Sequence, residues 1–408
     1  MLLPVVAIIR LYRELSSTMA KNSTKRTGTP KAKSRQESPA YRRIVVKLGS
    51  NLLTAGTQRL DLEIMSSLVG QVARLHDQGV EVVLVSSGAM AAGRDRLGIT
   101  KERKNIPFRQ VLASVGQGRL MNAYEQLFAW HGITVAQALL TKADLSDRTG
   151  YLNARNTILA LLELRVITIV NENDVVAIDE IKEAKFGDND NLSALVANLA
   201  DADLLIMLGD IPGLCTADPC IDPKAQVITT VDRIDAKIER LAKRTKSQQG
   251  TGGMATKIEA AKLATDSGIS VVIADGQIPN AIPRIVQGES VGSHFPATTS
   301  KRESRKRWML SGLGIRGKII VDDGAASALR QEKGSLLPAG IKAVEKKFNR
   351  GEIIDIVDSK DDCIARGISN YSSHELDIIK GARSTKIMSL LGYEYGADVV
   401  HRNNLVLL

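Results

Sequence analysis

One pattern recurs along the chain and limits what it can fold into. Short, near-continuous apolar runs fall at residues 44–48, 80–85, 133–140, 166–170, 203–208 and 270–274. Each is separated from the next by a stretch long enough for a helix, and several of these carry apolar residues at helical spacing. Runs that are apolar on both faces suit strands of a parallel sheet covered on both sides. Strands alternating with helices therefore predict an α/β fold of three layers, a mostly parallel sheet with helices on both faces. In open sheets of this kind ligands bind beyond the carboxyl ends of the strands. The turns after these runs are where chemistry is to be sought.

The chain has 408 residues, enough for two domains. Aromatic residues make up only 3%, so the interior is aliphatic. Near Pro296 the composition shifts. Residues 298–307 hold five Lys/Arg and one Glu, as an exposed linker does. Beyond it the pattern turns β-rich with glycine turns, at 317–321, 334–338 and 351–356. The expected division is a disordered basic extension over 1–40, an α/β domain over 41–295, a linker over 296–308 and a small β-rich domain over 309–408.

The net charge of +10 raises nucleic acid as a partner, but its distribution weakens that reading. Residues 1–43 hold ten Lys/Arg against Glu14 and Glu37, so +8 of the +10 sits in the N-terminal tail. The first nine residues are apolar but too short to span a bilayer. They lack a basic segment before them and a small-residue cleavage site after them, so neither a membrane anchor nor a secretory signal is expected. Three cysteines point to free thiols in a reducing compartment, the cytoplasm. Cys215 and Cys220 have no His or Cys near them at zinc spacing.

The turns carry an unusual set of side chains. Lys47 ends the first run before Gly49-Ser50-Asn51. A lysine there meets an anion or snorkels to solvent. Ser86-Ser87-Gly88-Ala89 either brings backbone N–H groups close to a ligand or simply turns strand into helix. Asn171-Glu172-Asn173-Asp174 offers four hydrogen-bonding side chains directly after a buried strand. In Gly187-Asp188-Asn189-Asp190-Asn191 a polar cluster precedes a helical face formed by Leu192, Leu195, Val196 and Leu199. Asp188 or Asn189 suits the N-cap. Gly209-Asp210 follows the fifth run. Thr251-Gly252-Gly253-Met254-Ala255-Thr256-Lys257 opens a further helix, with Ile258, Ala261 and Leu263 expected on its apolar side. Its paired glycines and lysine make an anion cradle, though not at Walker A spacing. Gly116-Gln117-Gly118 lacks the third glycine of a dinucleotide fingerprint and sits in a helical pattern. No G-x-S-x-G is present, which disfavours a hydrolase of the nucleophile-elbow type. Two lysines, glycine turns and carboxylates at strand and helix ends are what phosphoryl transfer needs.

Five of these motifs, in this order from residue 41 onward, resemble the glutamate 5-kinases of the amino-acid kinase family: Ile44-Val45-Val46-Lys47-Leu48-Gly49, Ser86-Ser87-Gly88-Ala89, Val170-Asn171-Glu172-Asn173-Asp174, Gly187 to Leu195, and Gly250 to Lys257. The C-terminal part resembles a PUA domain. The resemblance implies phosphorylation of the side-chain carboxylate of L-glutamate by ATP, the first step of proline synthesis. It implies that Lys47 and Lys257 stabilise the transition state and that Asp190 organises them. Ser87, Asp174 and Asn189 would bind glutamate. Lys47, Gly209, Asp210, Thr251, Gly252, Gly253, Met254, Ala255, Thr256 and Lys257 would hold ATP, with Mg²⁺ bridging its phosphates. It further implies a homo-oligomer, proline as an inhibitor, and glutamate-5-semialdehyde dehydrogenase (γ-glutamyl phosphate reductase) as recipient of the labile product. Two features depart from the family pattern. Gly209 stands where Thr or Ser is expected, and the loop over 175–186 is a few residues longer. The rival readings are a kinase of the same superfamily acting on aspartate, N-acetylglutamate, carbamate or UMP, and an RNA-binding protein using the PUA-like domain, whose binding would weaken steeply with salt.

Overall fold

A computed structural model describes residues 40–99, 105–177, 189–219, 221–244, 253–301, 315–332 and 334–408. Its first sheet contains all six expected strands: β1 (Arg43–Leu48), β2 (Glu81–Ser86), β3 (Val135–Leu140), β4 (Ile167–Glu172), β5 (Leu204–Gly209) and β6 (Ser270–Asp275). A seventh, β7 (Ser293–Phe295), completes the order β3-β4-β2-β1-β5-β6-β7. All neighbours are parallel except β7, which runs antiparallel to β6. β7 escapes the sequence pattern because Ser-His-Phe contains no apolar run. It is held at the edge by Ser293, whose hydroxyl accepts from the Leu214 N–H at 2.8 Å.

Two apolar layers sandwich the sheet, as the three-layer expectation requires. On one face lie α1 (Leu62–Asp77), α2 (Ala89–Leu97), α3 (Ile106–Ala129) and, at the far end, a short helix Ala281–Val286. On the other lie α4 (Arg148–Glu163), α5 (Asn189–Leu199) and α6 (Met254–Asp266). Successive strand residues face opposite sides. On β1, Ile44, Val46 and Leu48 join the first layer while Val45 joins the second. Lys47 falls in step with Val45 and so faces α5 and α6. Leu263 departs from its expected place and is 40% exposed, whereas Ile258 and Ala261 are buried. Five residues along a helix is well short of two turns, so Leu263 points away from Ile258.

Gly116 has a packing role. A Cβ on it would overlap the Ala89 carbonyl of α2, and one on Gly93 would overlap the Leu112 carbonyl of α3. The two helices cross with their backbones in contact. Gly118 has no atom within 4 Å of its virtual Cβ. Gly116→Ala is therefore expected to destabilise by about 1–3 kcal/mol, since neither backbone can give way. Gly118→Ala is expected to stabilise by about 0.5–1 kcal/mol through helix propensity. Thermal and denaturant midpoints of the two variants check this, and a shift of the same sign for both would contradict it.

The second sheet has the order β12-β11-β10-β8-β9, built from β8 (Ile315–Val321), β9 (Ile341–Glu345), β10 (Ile353–Val357), β11 (Cys363–Ile368) and β12 (Leu405–Leu407). It is antiparallel apart from the β8–β10 pair. Residues 334–338 do not form the expected strand. Only Leu336 makes a bridge, to Val400, because Pro338 opens a 3-10 turn over Pro338–Gly340. The two sheets meet at a mixed seam, where Leu152 of α4 packs with Ile353, Ile368 and Val406 in a small apolar cluster flanked by polar contacts. Arg155 of α4, 1% exposed, donates to Asn404 at 2.8 Å and to Asp201 at 2.5 Å. Across the same seam Arg350 donates to Asn153 at 2.6 Å.

Candidate active site

The site lies beyond the carboxyl ends of the first sheet, and the strand order explains its place. From β1 the chain steps to β2 on one side, then β3 and β4 fill that half. It returns to β5 on the other side of β1, followed by β6. The direction of winding thus reverses at β1, which opens a crevice there. Lys47 is the penultimate residue of β1 and only 4% exposed. Gly49 follows, its N–H on the Leu208 carbonyl at 3.0 Å. A Cβ there would stand 3.2 Å from that carbonyl and 3.9 Å from the Lys47 ammonium, so glycine keeps the crevice open.

Three buried charges meet in the crevice. The Lys47 Nζ lies 2.5 Å from Asp190 Oδ1, and the Lys257 Nζ lies 3.2 Å from Asp190 Oδ2. Lys47 and Lys257 stand 210 residues apart in sequence, yet one carboxylate holds both. Asp190 sits in the first turn of α5 and is fully buried. Lys257 lies in the first turn of α6. Thr256 donates its hydroxyl to Asp190 Oδ2 at 2.8 Å, and that hydroxyl also reaches the Gly253 carbonyl at 2.9 Å. Burial pushes the Asp190 carboxyl up. The two ammonium groups and the hydrogen bonds from Lys47 and Thr256 outweigh it and hold the pKa at about 2. Asp190 is therefore ionised at neutral pH, and the cluster carries a net positive charge.

On the β2–β4 side of Lys47 stands a chain of amides. Asn189, the first residue of α5, donates through Nδ2 to Ser87 Oγ at 3.0 Å, to Asn171 Oδ1 at 3.0 Å and more weakly to the Ser86 carbonyl at 3.4 Å. Asn171 in turn donates to Gln117 Oε1 at 2.8 Å. Among the described residues, Asn189 Oδ1 and Gln117 Nε2 are buried without a hydrogen-bond partner. Asp174 lies two residues past β4, half-buried in the turn that follows. Asn189 is the first residue of its helix, with its amide turned inward onto Ser87 and Asn171. Asp188, the other expected cap, lies outside the described residues, as does the 175–186 loop from residue 178 onward.

On the β5–β6 side, Gly209 ends β5 and faces Lys257. A Cβ on it would lie 3.7 Å from Lys257 Cε, at ordinary contact distance. A serine or threonine would fit there, so glycine is not forced by space. Asp210 accepts from Asn51 at 3.0 Å at the exposed rim, joining the turn after β5 to the turn after β1. Gly253 precedes α6, and Met254 is buried beneath its first turn, next to Ala255 and Thr256. Thr251 and Gly252 lie outside the described residues.

Reading the residues alone missed Gln117 and the hold of Thr256 on Asp190. The signal for Gln117 was present: Gln110, Ser114 and Gln117 form a polar stripe at helical spacing on α3, and Gln110 reaches the Val175 carbonyl at 3.0 Å. Both glutamines thus face the end of β4.

This arrangement defines a class. Residues 42–275 match the amino acid kinase family and residues 317–391 match the PUA domain. The chain belongs to the amino acid kinase family. Its relatives are more particular. It is 56% identical over 368 residues to the glutamate 5-kinase of Dehalococcoides mccartyi (strain CBDB1), a match covering 90% of this chain and 99% of that one. The glutamate 5-kinase of Herpetosiphon aurantiacus is 52% identical over 366 residues, covering 90% and 98%. Among solved structures, UMP kinase from Bacillus anthracis matches with a TM-score of 0.44 at 16% identity, covering 64% of this chain and 97% of that one.

Proposed function

We propose that the chain transfers the γ-phosphoryl group of ATP to the side-chain carboxylate of L-glutamate, giving ADP and L-glutamyl 5-phosphate. The observation that carries the proposal is the pair of buried lysines, at 2.5 and 3.2 Å from one carboxylate, at the reversal of the strand order. The relatives named above act, by their names, on glutamate. A glutamate side chain, with an ordinary pKa of about 4.3, arrives ionised and needs no base to make it a nucleophile. Its difficulty is repulsion from the phosphates. Cations answer that difficulty, and Asp190, held at about 2, aligns them without taking up a proton.

The parts divide around Lys47. ATP lies on the β5–β6 side, against Gly209, Asp210 and residues 251–257, which lead into α6, where free N–H groups and the helix dipole favour phosphate. Glutamate lies on the β2–β4 side, against Ser87, Asp174 and Asn189. Lys47 and Lys257 meet the moving phosphoryl group between them. Among the described residues no group of three or more His, Cys, Asp and Glu side chains could hold a metal. Mg²⁺ suits this chain as an ion carried on the ATP phosphates, where it neutralises their charge.

The same reading assigns 41–295 to catalysis, 296–308 to a linker and 309–408 to the PUA domain. It places the enzyme at the first step of proline formation, as a cytoplasmic homo-oligomer with proline as inhibitor. Its labile acyl phosphate passes to γ-glutamyl phosphate reductase. Among the described residues no helix is long and apolar enough to cross a membrane. The purified protein, given ATP, Mg²⁺ and a panel of acids with hydroxylamine to trap acyl phosphates, is expected to form hydroxamate with L-glutamate well above aspartate or N-acetylglutamate. A preference for any other acid would overturn the assignment.

A further inference from the structure

We propose that Gln117 is a substrate-binding residue, and that with Asn189 it recognises the zwitterionic head of the amino-acid acceptor. The proposal rests on the function proposed above and adds a residue to that site.

The amides of Asn189, Asn171 and Gln117 point in a fixed order. Oxygen and nitrogen of an amide side chain are distinguished by their partners. The Ser86 carbonyl can only accept, so the end of Asn189 that faces it is Nδ2. The same Nδ2 faces Asn171, whose contacting atom is therefore Oδ1. Asn171 then presents Nδ2 to Gln117, which answers with Oε1. One backbone carbonyl thus orients all three amides. It leaves Asn189 Oδ1 and Gln117 Nε2 as the two ends of the chain, both buried and both without a partner among the described residues.

Nine buried side-chain atoms lack a partner among the described residues. These two are set apart because they end one three-residue chain next to Asp190, where a ligand would supply the missing partners. One end is an acceptor and the other a donor with two hydrogens. An α-amino acid supplies the complement: its ammonium donates to Asn189 Oδ1 and its α-carboxylate accepts from Gln117 Nε2. The next residue after Asn189 is Asp190, which holds both lysines. The head of the substrate is thereby fixed beside the point where its other carboxylate reacts. Gln117 is anchored for this work by Gly116, whose close contact with the Ala89 carbonyl sets the height of α3.

The test compares L-glutamate with 4-aminobutanoate, which keeps the amine and the reacting carboxylate but lacks the α-carboxylate. Gln117→Glu keeps the oxygen that Asn171 needs and replaces the free donor by an acceptor. Gln117→Met removes both. At pH 8.5, where the introduced carboxyl is ionised, Gln117→Glu is expected to raise KM for L-glutamate about 10- to 100-fold. The KM for ATP is expected to stay within error of the parent, while the thermal midpoint falls because a carboxylate replaces a buried amide. With 4-aminobutanoate, kcat/KM is expected to change less than threefold, so the preference for glutamate collapses. Gln117→Met is expected to lose the same preference less steeply. An equal fall for both acceptors, or an unchanged glutamate KM with a lowered thermal midpoint, would show that Gln117 only braces Asn171 and would overturn the proposal. The unsubstituted protein reports separately on the reaction itself: turnover confined to acids without an amino-acid head would overturn both readings.

Discussion

Lys47→Ala is expected to lower kcat for L-glutamate at least about 1000-fold, while the thermal midpoint falls by only a few degrees. The two effects separate for a reason visible in the cluster. Removing one preorganised donor from a charge-stabilising site costs about 100- to 1000-fold in kcat, and here the donor is a full ammonium in a buried site. Stability is less affected because Asp190 keeps Lys257 at 3.2 Å and the Thr256 hydroxyl at 2.8 Å. Its charge is still answered. Lys47→Arg is not expected to rescue turnover. A guanidinium is planar and wider than an ammonium, and the Lys47 Nζ already lies within 3.9 Å of the position a Cβ would take on Gly49. Steady-state hydroxamate formation with circular dichroism on the same samples measures both quantities. A kcat within tenfold of the parent would remove Lys47 from the chemistry.

How much of this was legible in the chain depends on the range of the signal. Six strands of the sheet were readable because each declares itself in a short apolar run, and their limits differ from expectation by only a residue or two. Lys47 and Lys257 were readable because a lysine at the end of an apolar run, or one turn after a glycine pair, is locally anomalous. Which carboxylate they share was not. Gly-Asp-Asn-Asp-Asn offers two, and the choice depends on where the helix starts: beginning at Asn189, it carries Asp190 into its first turn toward β1. The resemblance singled out Asp190, not the spacing. Gln117 was hidden because its flanking glycines pose only the question of a dinucleotide fingerprint, which they fail, whereas Gly116 serves a helix crossing. The seam was beyond any local pattern, since Arg155 and Asn404 are 249 residues apart. Long-range polar pairs leave no periodicity behind, and the three-residue β7 leaves none either.

Asp190→Asn is expected to abolish turnover as fully as Lys47→Ala, and unlike it to destabilise the fold by about 3–5 kcal/mol, the usual cost of leaving buried charge uncompensated. The substitution is nearly isosteric, so the loss comes from charge. Two ammonium groups, 4% and 5% exposed at their residues, would be left sharing a neutral amide. The pH dependence follows from the same carboxylate. Its pKa is lowered from 3.8 to about 2, so in the parent it adds stability that is fully present above pH 4 and is lost as pH falls toward 2. The variant lacks that titration, and its stability is expected to fall less steeply over the same range. Adding Lys47→Met to Asp190→Asn returns the cluster to its original net charge and is expected to recover much of the lost stability, a coupling that a double-mutant cycle reads directly. Turnover is not expected to return with it. Stability here depends on how many charges are buried together, whereas phosphoryl transfer depends on where two of them point. A double variant that regained activity along with stability would mean that neither Lys47 nor the Asp190 carboxylate is needed for the chemistry.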